Sequence, residues 1–130
     1  MREDTHEIPI SELDGFQQVA DTMAGRPLCH FNRVYSFRYF GRQEDDQGDE
    51  WRNIELVMEE FDPPHAQVGI RCHRVSDVSF SGYFQILGLN FRSIRDRGWD
   101  QLCFEVGDYE DGGIHLYCFA ISLFDPLHQV

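Results

Sequence analysis

Six histidines, at positions 6, 30, 65, 73, 115 and 128, and four cysteines, Cys29, Cys72, Cys103 and Cys118, carry the metal-binding chemistry available to this chain. Their spacing does not use it. No pair forms H-x-x-x-H, H-E-x-x-H or C-x-x-C, the short-range chelating patterns. Cys29 with His30, and Cys72 with His73, are sequence neighbours, so on a strand each pair points to opposite faces. The acidic stretch Asp108-Tyr-Glu-Asp-Gly112 has neither the spacing nor the closing Glu of an EF-hand loop. Glu59, Glu60 and Glu105 border apolar strands, and carboxylates do acid–base work only in a shielded cleft. There is no G-x-S-x-G elbow. A phosphate loop of the G-x-x-x-x-G-K type is impossible, because the chain has no Lys. The expectation is a protein without catalytic residues, metal or cofactor. The alternative is a small-molecule-binding or enzymatic β domain whose cleft gathers Arg71, His73, Tyr83 and His115 from adjacent strands.

Charge is the stronger signal. The formal net charge is −12, and all eleven basic residues are Arg. Phosphate neutralisation needs a basic face, so nucleic acid is excluded as a partner, and anionic membranes are equally disfavoured. A basic protein would be attracted from a distance. Residues 42–62 hold nine acids against Arg42 and Arg52. Within them Glu44, Asp45, Asp46, Asp49 and Glu50 follow one another without an apolar residue until Trp51. The reading is an exposed acidic loop over 41–50, with Trp51 as an aromatic anchor beside it. Tyr35, Tyr39, Tyr83, Trp99 and Tyr109 add aromatic side chains with polar tips near these loops.

The elements that must hold such a face follow from periodicity. The 130 residues, 42% hydrophobic and 14% aromatic, make one domain with a core of its own. Residues 1–10 read as a loose N-terminus. A helix is expected over Ser11–Ala24, with Ser11 as N-cap, Asp14 closing a capping box, and Leu13, Phe16, Val19, Ala20 and Met23 as its apolar stripe. Gly25 and Pro27 end it. Residues 28–124 then alternate with period two. Strands are expected over 28–40, 51–61 and 66–73, from Val75, over 84–91, and in a hairpin closed by Glu110-Asp-Gly-Gly113. The return strand, 114–123, is apolar in both phases, which predicts a central strand covered on both sides. The fold class is mainly β, an antiparallel sheet or β-sandwich of six to seven strands with one N-terminal helix; an α+β arrangement is the alternative. Strand 28–40 can lie at an edge and pair with a second copy, a homodimer guarded against by Arg33 and Arg38.

One resemblance adds to this. Trp51-Arg-Asn-Ile-Glu-Leu56, Val68-Gly-Ile-Arg-Cys-His-Arg-Val-Ser-Asp-Val78, Gly98-Trp99, Phe104-Glu-Val-Gly-Asp-Tyr-Glu-Asp-Gly-Gly-Ile114 and Leu116-Tyr-Cys118 follow in an order that resembles small uncharacterised bacterial β proteins. Some of these are grouped with immunity proteins of polymorphic toxin systems. The resemblance implies a binding role with no catalytic residues. No apolar leader precedes residue 10 and no run reaches the ~20 residues of a membrane span, so a cytoplasmic location is expected.

Overall fold

The computed structural model describes residues 6–44, 50–80, 89–94, 103–108 and 113–128. Strands run over β1 (His6–Glu7), β2 (Arg33–Glu44), β3 (Glu50–Glu59), β4 (Gln67–His73), β5 (Ser76–Phe80), β6 (Leu89–Ser93), β7 (Phe104–Asp108), β8 (Ile114–Cys118) and β9 (Ala120–Phe124), with a single α-helix, α1 (Phe16–Met23), among the described residues. The fold is mainly β. One antiparallel sheet has the order β2-β3-β4-β9, the other β1-β6-β7-β8-β5. Leaving aside the two-residue β1, the described residues form eight strands, four to a sheet, where six or seven were expected.

The extra strand has a physical origin. The return strand does not run straight from 114 to 123. It breaks at Phe119 into β8 and β9, which lie in different sheets. Its partner bends alongside it at Arg74, between β4 and β5. Pairing runs through the bend: His73 sits opposite Ala120, the Phe119 amide donates to the His73 carbonyl at 2.8 Å, and Ser76 sits opposite Tyr117. Bent strands that switch sheets form such corners. The inward phase slips by one at the bend. Ile114, Leu116 and Cys118 are buried before it, Ile121 and Leu123 after it. The double apolar phase therefore marks a bend, and only β8 is central; β9 is the edge strand of its sheet.

Between the sheets, the register rows Leu56–Ile70–Leu123 and Phe91–Val106–Leu116 belong to one buried cluster. Phe37 of β2 and Phe80 of β5 stack with centroids 4.3 Å apart and tie the sheets together near their edges. The alternation read for 66–73 is observed: Val68, Ile70 and Cys72 point inward and are buried. Cys72, Cys103 and Cys118 are free thiols. A hydrogen bond to Cys72, followed by burial, pushes the Cys118 thiol well above its ordinary range, which keeps it protonated and unreactive.

The N-terminal expectations need correction. The segment 1–10 is not loose throughout, because His6 and Glu7 pair with Ser93 and Arg92, and the Ile8 amide donates to the Phe91 carbonyl at 2.7 Å. The helix does not start at Ser11. A 3-10 turn covers Ile10–Glu12, and α1 begins only at Phe16 with Gly15 as its N-cap. Between them the backbone of Asp14 bridges Ser122 of β9, and its carbonyl accepts the Leu123 amide at 2.8 Å. A tertiary backbone bond thus replaces the local capping box. The stripe itself holds: Leu13, Val19 and Met23 are buried in the core. Arg26 then anchors the helix end, its Nε 2.9 Å from Glu60 Oε2 and one Nη 2.6 Å from the Thr22 carbonyl.

Candidate functional site

The acidic segment is placed by the β2–β3 hairpin. β3 pairs with β4 only from Ile54 to Glu59. Its ladder with β2 continues past that point through Phe40–Asn53, Arg42–Arg52, Gln43–Trp51 and Glu44–Glu50. At about 3.3 Å per residue, these four pairs carry the hairpin roughly 13 Å beyond the last pair with β4. A register shift between Phe40 and Arg42 interrupts the ladder at the start of this arm, and such bulges increase the local twist. The root is clamped: the Val75 amide donates to the Arg52 carbonyl at 2.9 Å, and the Arg74 amide to Asn53 Oδ1 at 3.0 Å.

The expected loop over 41–50 is therefore shorter than the sequence suggested. Glu44 and Glu50 face each other as the last pair of the ladder, and Trp51 opposes Gln43. Residues 41–44 carry no apolar alternation, so polarity alone could not locate the end of the ladder. Asp45, Asp46 and Asp49 lie outside the described residues, as do Tyr83, Trp99 and Tyr109.

The three described residues of the alternative cleft do not converge. Arg71 and His73 lie on β4 and His115 on β8, in different sheets; Tyr83 is outside the described residues. Two clefts of about 440 Å³ each are lined by described residues. One lies under the N-terminal turn, against Leu13, Phe104, Phe119 and Ile121, and the other beside Tyr39, Phe40 and Arg52. Neither is lined by Arg71, His73 or His115.

Each of those residues has a local partner instead. On the outer face of the five-stranded sheet, His115 Nε2 lies 2.6 Å from Glu105 Oε2, and the His115 ring meets Tyr117 edge-on at 5.0 Å. Glu105 points outward as its phase required, but half-buried and paired rather than free. On the outer face of the four-stranded sheet, a polar row crosses all four strands in register: Arg38, Glu55, Arg71 and Ser122. Arg38 Nε and Nη2 donate to Glu55 Oε1 at 3.1 and 2.8 Å, and Arg71 Nε donates to Oε2 at 3.1 Å. Glu55 is only 8% exposed. The Arg71 guanidinium lies 4.0 Å from the centroid of Phe124, whose ring occupies the space left by Gly69, and 5.9 Å from that of Phe40. His73 Nε2 is 3.2 Å from Ser122 Oγ.

Sequence reasoning singled out Arg71 and His73 but missed Glu55 and the shared row. The available signal was opposite charge at the outward phase of neighbouring strands, which becomes a contact only once the strand order is known.

Burial, and then the positive charge of Arg71, hold the His73 imidazole below its ordinary pKa of 6.5. The unfolded chain therefore takes up this proton first as pH falls, and stability drops from about pH 6.5 downward through the folded-state value. Urea unfolding of the wild type and His73→Gln between pH 7.5 and 5 should show the variant losing less stability over that interval. Equal losses would contradict this reading.

No family model, curated protein or solved structure matches the chain. No helix among the described residues is long and apolar enough to cross a membrane.

Proposed function

We propose that this protein is a non-catalytic binding protein of the immunity type, which occludes a basic partner protein through the acidic end of its β2–β3 hairpin. The observation that carries the reading is the arm: a ladder that outruns its neighbouring strand and presents Glu44 and Glu50 as its terminal pair. The segment that closes it adds Asp45, Asp46 and Asp49. A net charge of −12 supplies the long-range field that steers a basic protein toward such a projection. The cytoplasm is the location this reading proposes.

Neutralising the arm tests it. Glu44→Gln, Asp45→Asn, Asp46→Asn, Asp49→Asn and Glu50→Gln together should leave the melting temperature unchanged or slightly raised, because solvated like charges repel only modestly. The wild-type chain should capture a basic protein from host lysate at low salt, and the neutralised chain should not. With that protein purified, the association rate should fall about 10- to 100-fold on neutralisation and lose most of its salt dependence. An unchanged association rate would refute the arm as the recognition face.

A second reading has one observation in its favour. β2 is an edge strand of its sheet, with Tyr35 and Tyr39 64% and 50% exposed, so a second copy has a strand to pair with. Register shifts after Val34 and Phe40, and the charges of Arg33 and Arg38, act against that pairing.

A further inference from the structure

The outer row of the four-stranded sheet is only partly satisfied by its own carboxylate. Glu55 takes two bonds from Arg38 but a single Nε bond from Arg71. Both terminal Nη nitrogens of Arg71 are left without a hydrogen-bond partner among the described residues, although its side chain is only 26% exposed. The guanidinium is held nonetheless, by Glu55 along one edge and by the ring of Phe124 beneath it, with Phe40 nearby. Ser122 lies directly opposite Arg71 in register, with its hydroxyl against His73. Two guanidinium groups against one carboxylate leave this row with a positive excess of one, in a chain whose net charge is −12. A planar fork with free donors, a hydroxyl beside it and aromatic rings around it is the arrangement that receives a two-oxygen anion attached to an apolar body.

We propose that this patch binds a small organic carboxylate, its two oxygens on the Nη edge of Arg71 beside Ser122 Oγ, and its apolar part against Phe40. The site lies on the sheet face, apart from the end of the arm, and does not rest on the binding role proposed above. Inorganic phosphate shares the charge but has nothing to place against the ring, so it should bind more weakly.

The full-length chain, labelled with nitrogen-15, provides the test, with benzoate as the probe. Benzoate should shift the Arg71 Nε–Hε signal and the amides of Arg71, His73 and Ser122, with a dissociation constant of about 1–10 mM, in the range expected of a fragment-sized ligand. Inorganic phosphate should need about fivefold more to reach the same occupancy. Arg71→Gln should weaken benzoate at least about tenfold. Arg71→Lys, which keeps the charge and loses the fork, should do so by about fivefold or more, and it decides the matter if Arg71→Gln does not fold. Ser122→Ala should cost about two- to threefold. The proposal is overturned if about 50 mM benzoate moves none of these signals, if a folded Arg71 variant binds as the wild type does, or if phosphate binds and benzoate does not.

Discussion

Gly15→Ala should be the most damaging single-methyl addition to this chain, lowering stability by about 3 kcal/mol or more. Two effects combine. Gly15 has φ +84°, a left-handed conformation that costs a residue with a β-carbon about 1–2 kcal/mol. The added carbon would also run into the Leu123 carbonyl oxygen, which belongs to backbone and cannot rotate away. Relief requires parting the segment 13–15 from β9, and with it the hydrogen bond from the Leu123 amide to the Asp14 carbonyl. α1 hangs from this junction, so Val19 and Met23 would be drawn out of the core. Gly25 supplies the control. Its φ is +71°, and nothing lies within 4 Å of where a β-carbon would stand. Gly25→Ala should therefore cost only the conformational part, about 1 kcal/mol. Thermal melts would separate the two, since 1 kcal/mol moves the midpoint of a domain this size by roughly 3–6 °C. Equal shifts for both variants would mean that the contact with β9 is not the cause.

That junction also shows where the sequence stopped being readable. The apolar stripe of the helix was legible because it follows a period that packing enforces, and its buried members are those the pattern named. The cap was not. Ser11 and Asp14 satisfied a local rule, but the backbone of Asp14 is committed to β9, more than a hundred residues away. The same division runs through the sheets. Alternation identified Val68, Ile70 and Cys72 as inward-facing, because one buried face imposes a period of two. It misread residues 114–123, because a bent strand alternates on either side of its bend with opposite phase. It also ended β2 too early, because residues 41–44 carry no apolar alternation from which a period could be read. The acids of the arm were legible as charge, and the ladder that carries Glu44 and Glu50 was not. Arg38 and Arg71 were named from the sequence for other roles and Glu55 was missed, because the contact among them depends on strand order, which no local pattern encodes.

Glu55→Ala should cost about 2–3 kcal/mol, far more than loss of an ordinary surface carboxylate. A solvated ion pair contributes at most about 1 kcal/mol, whereas removing one partner of a buried pair costs about 3–5 kcal/mol, because the other charge is left without compensation. Glu55 stands between these limits. It is 8% exposed itself, its partner Arg71 is 26% exposed at the side chain, and its partner Arg38 is 58% exposed. Arg38 can turn to water when the carboxylate is gone. Arg71 has less freedom to do so: moving away from Glu55 lifts it from the ring of Phe124, which it covers at 4.0 Å and which is only 6% exposed. The two arginines should therefore differ sharply as variants. Arg38→Ala should cost less than about 1 kcal/mol and lose most of that effect in high salt. Arg71→Ala should cost about 2 kcal/mol, part of it salt-independent, because apolar ring surface is uncovered as well as charge removed. Urea unfolding of the three single variants, and of Glu55→Ala combined with each arginine variant, gives the coupling directly. The Glu55–Arg71 coupling should exceed the Glu55–Arg38 coupling by about 1 kcal/mol. If Glu55→Ala falls within about 0.5 kcal/mol of the wild type, the range of an unremarkable surface change, the row is a solvated decoration and not a tie across three strands.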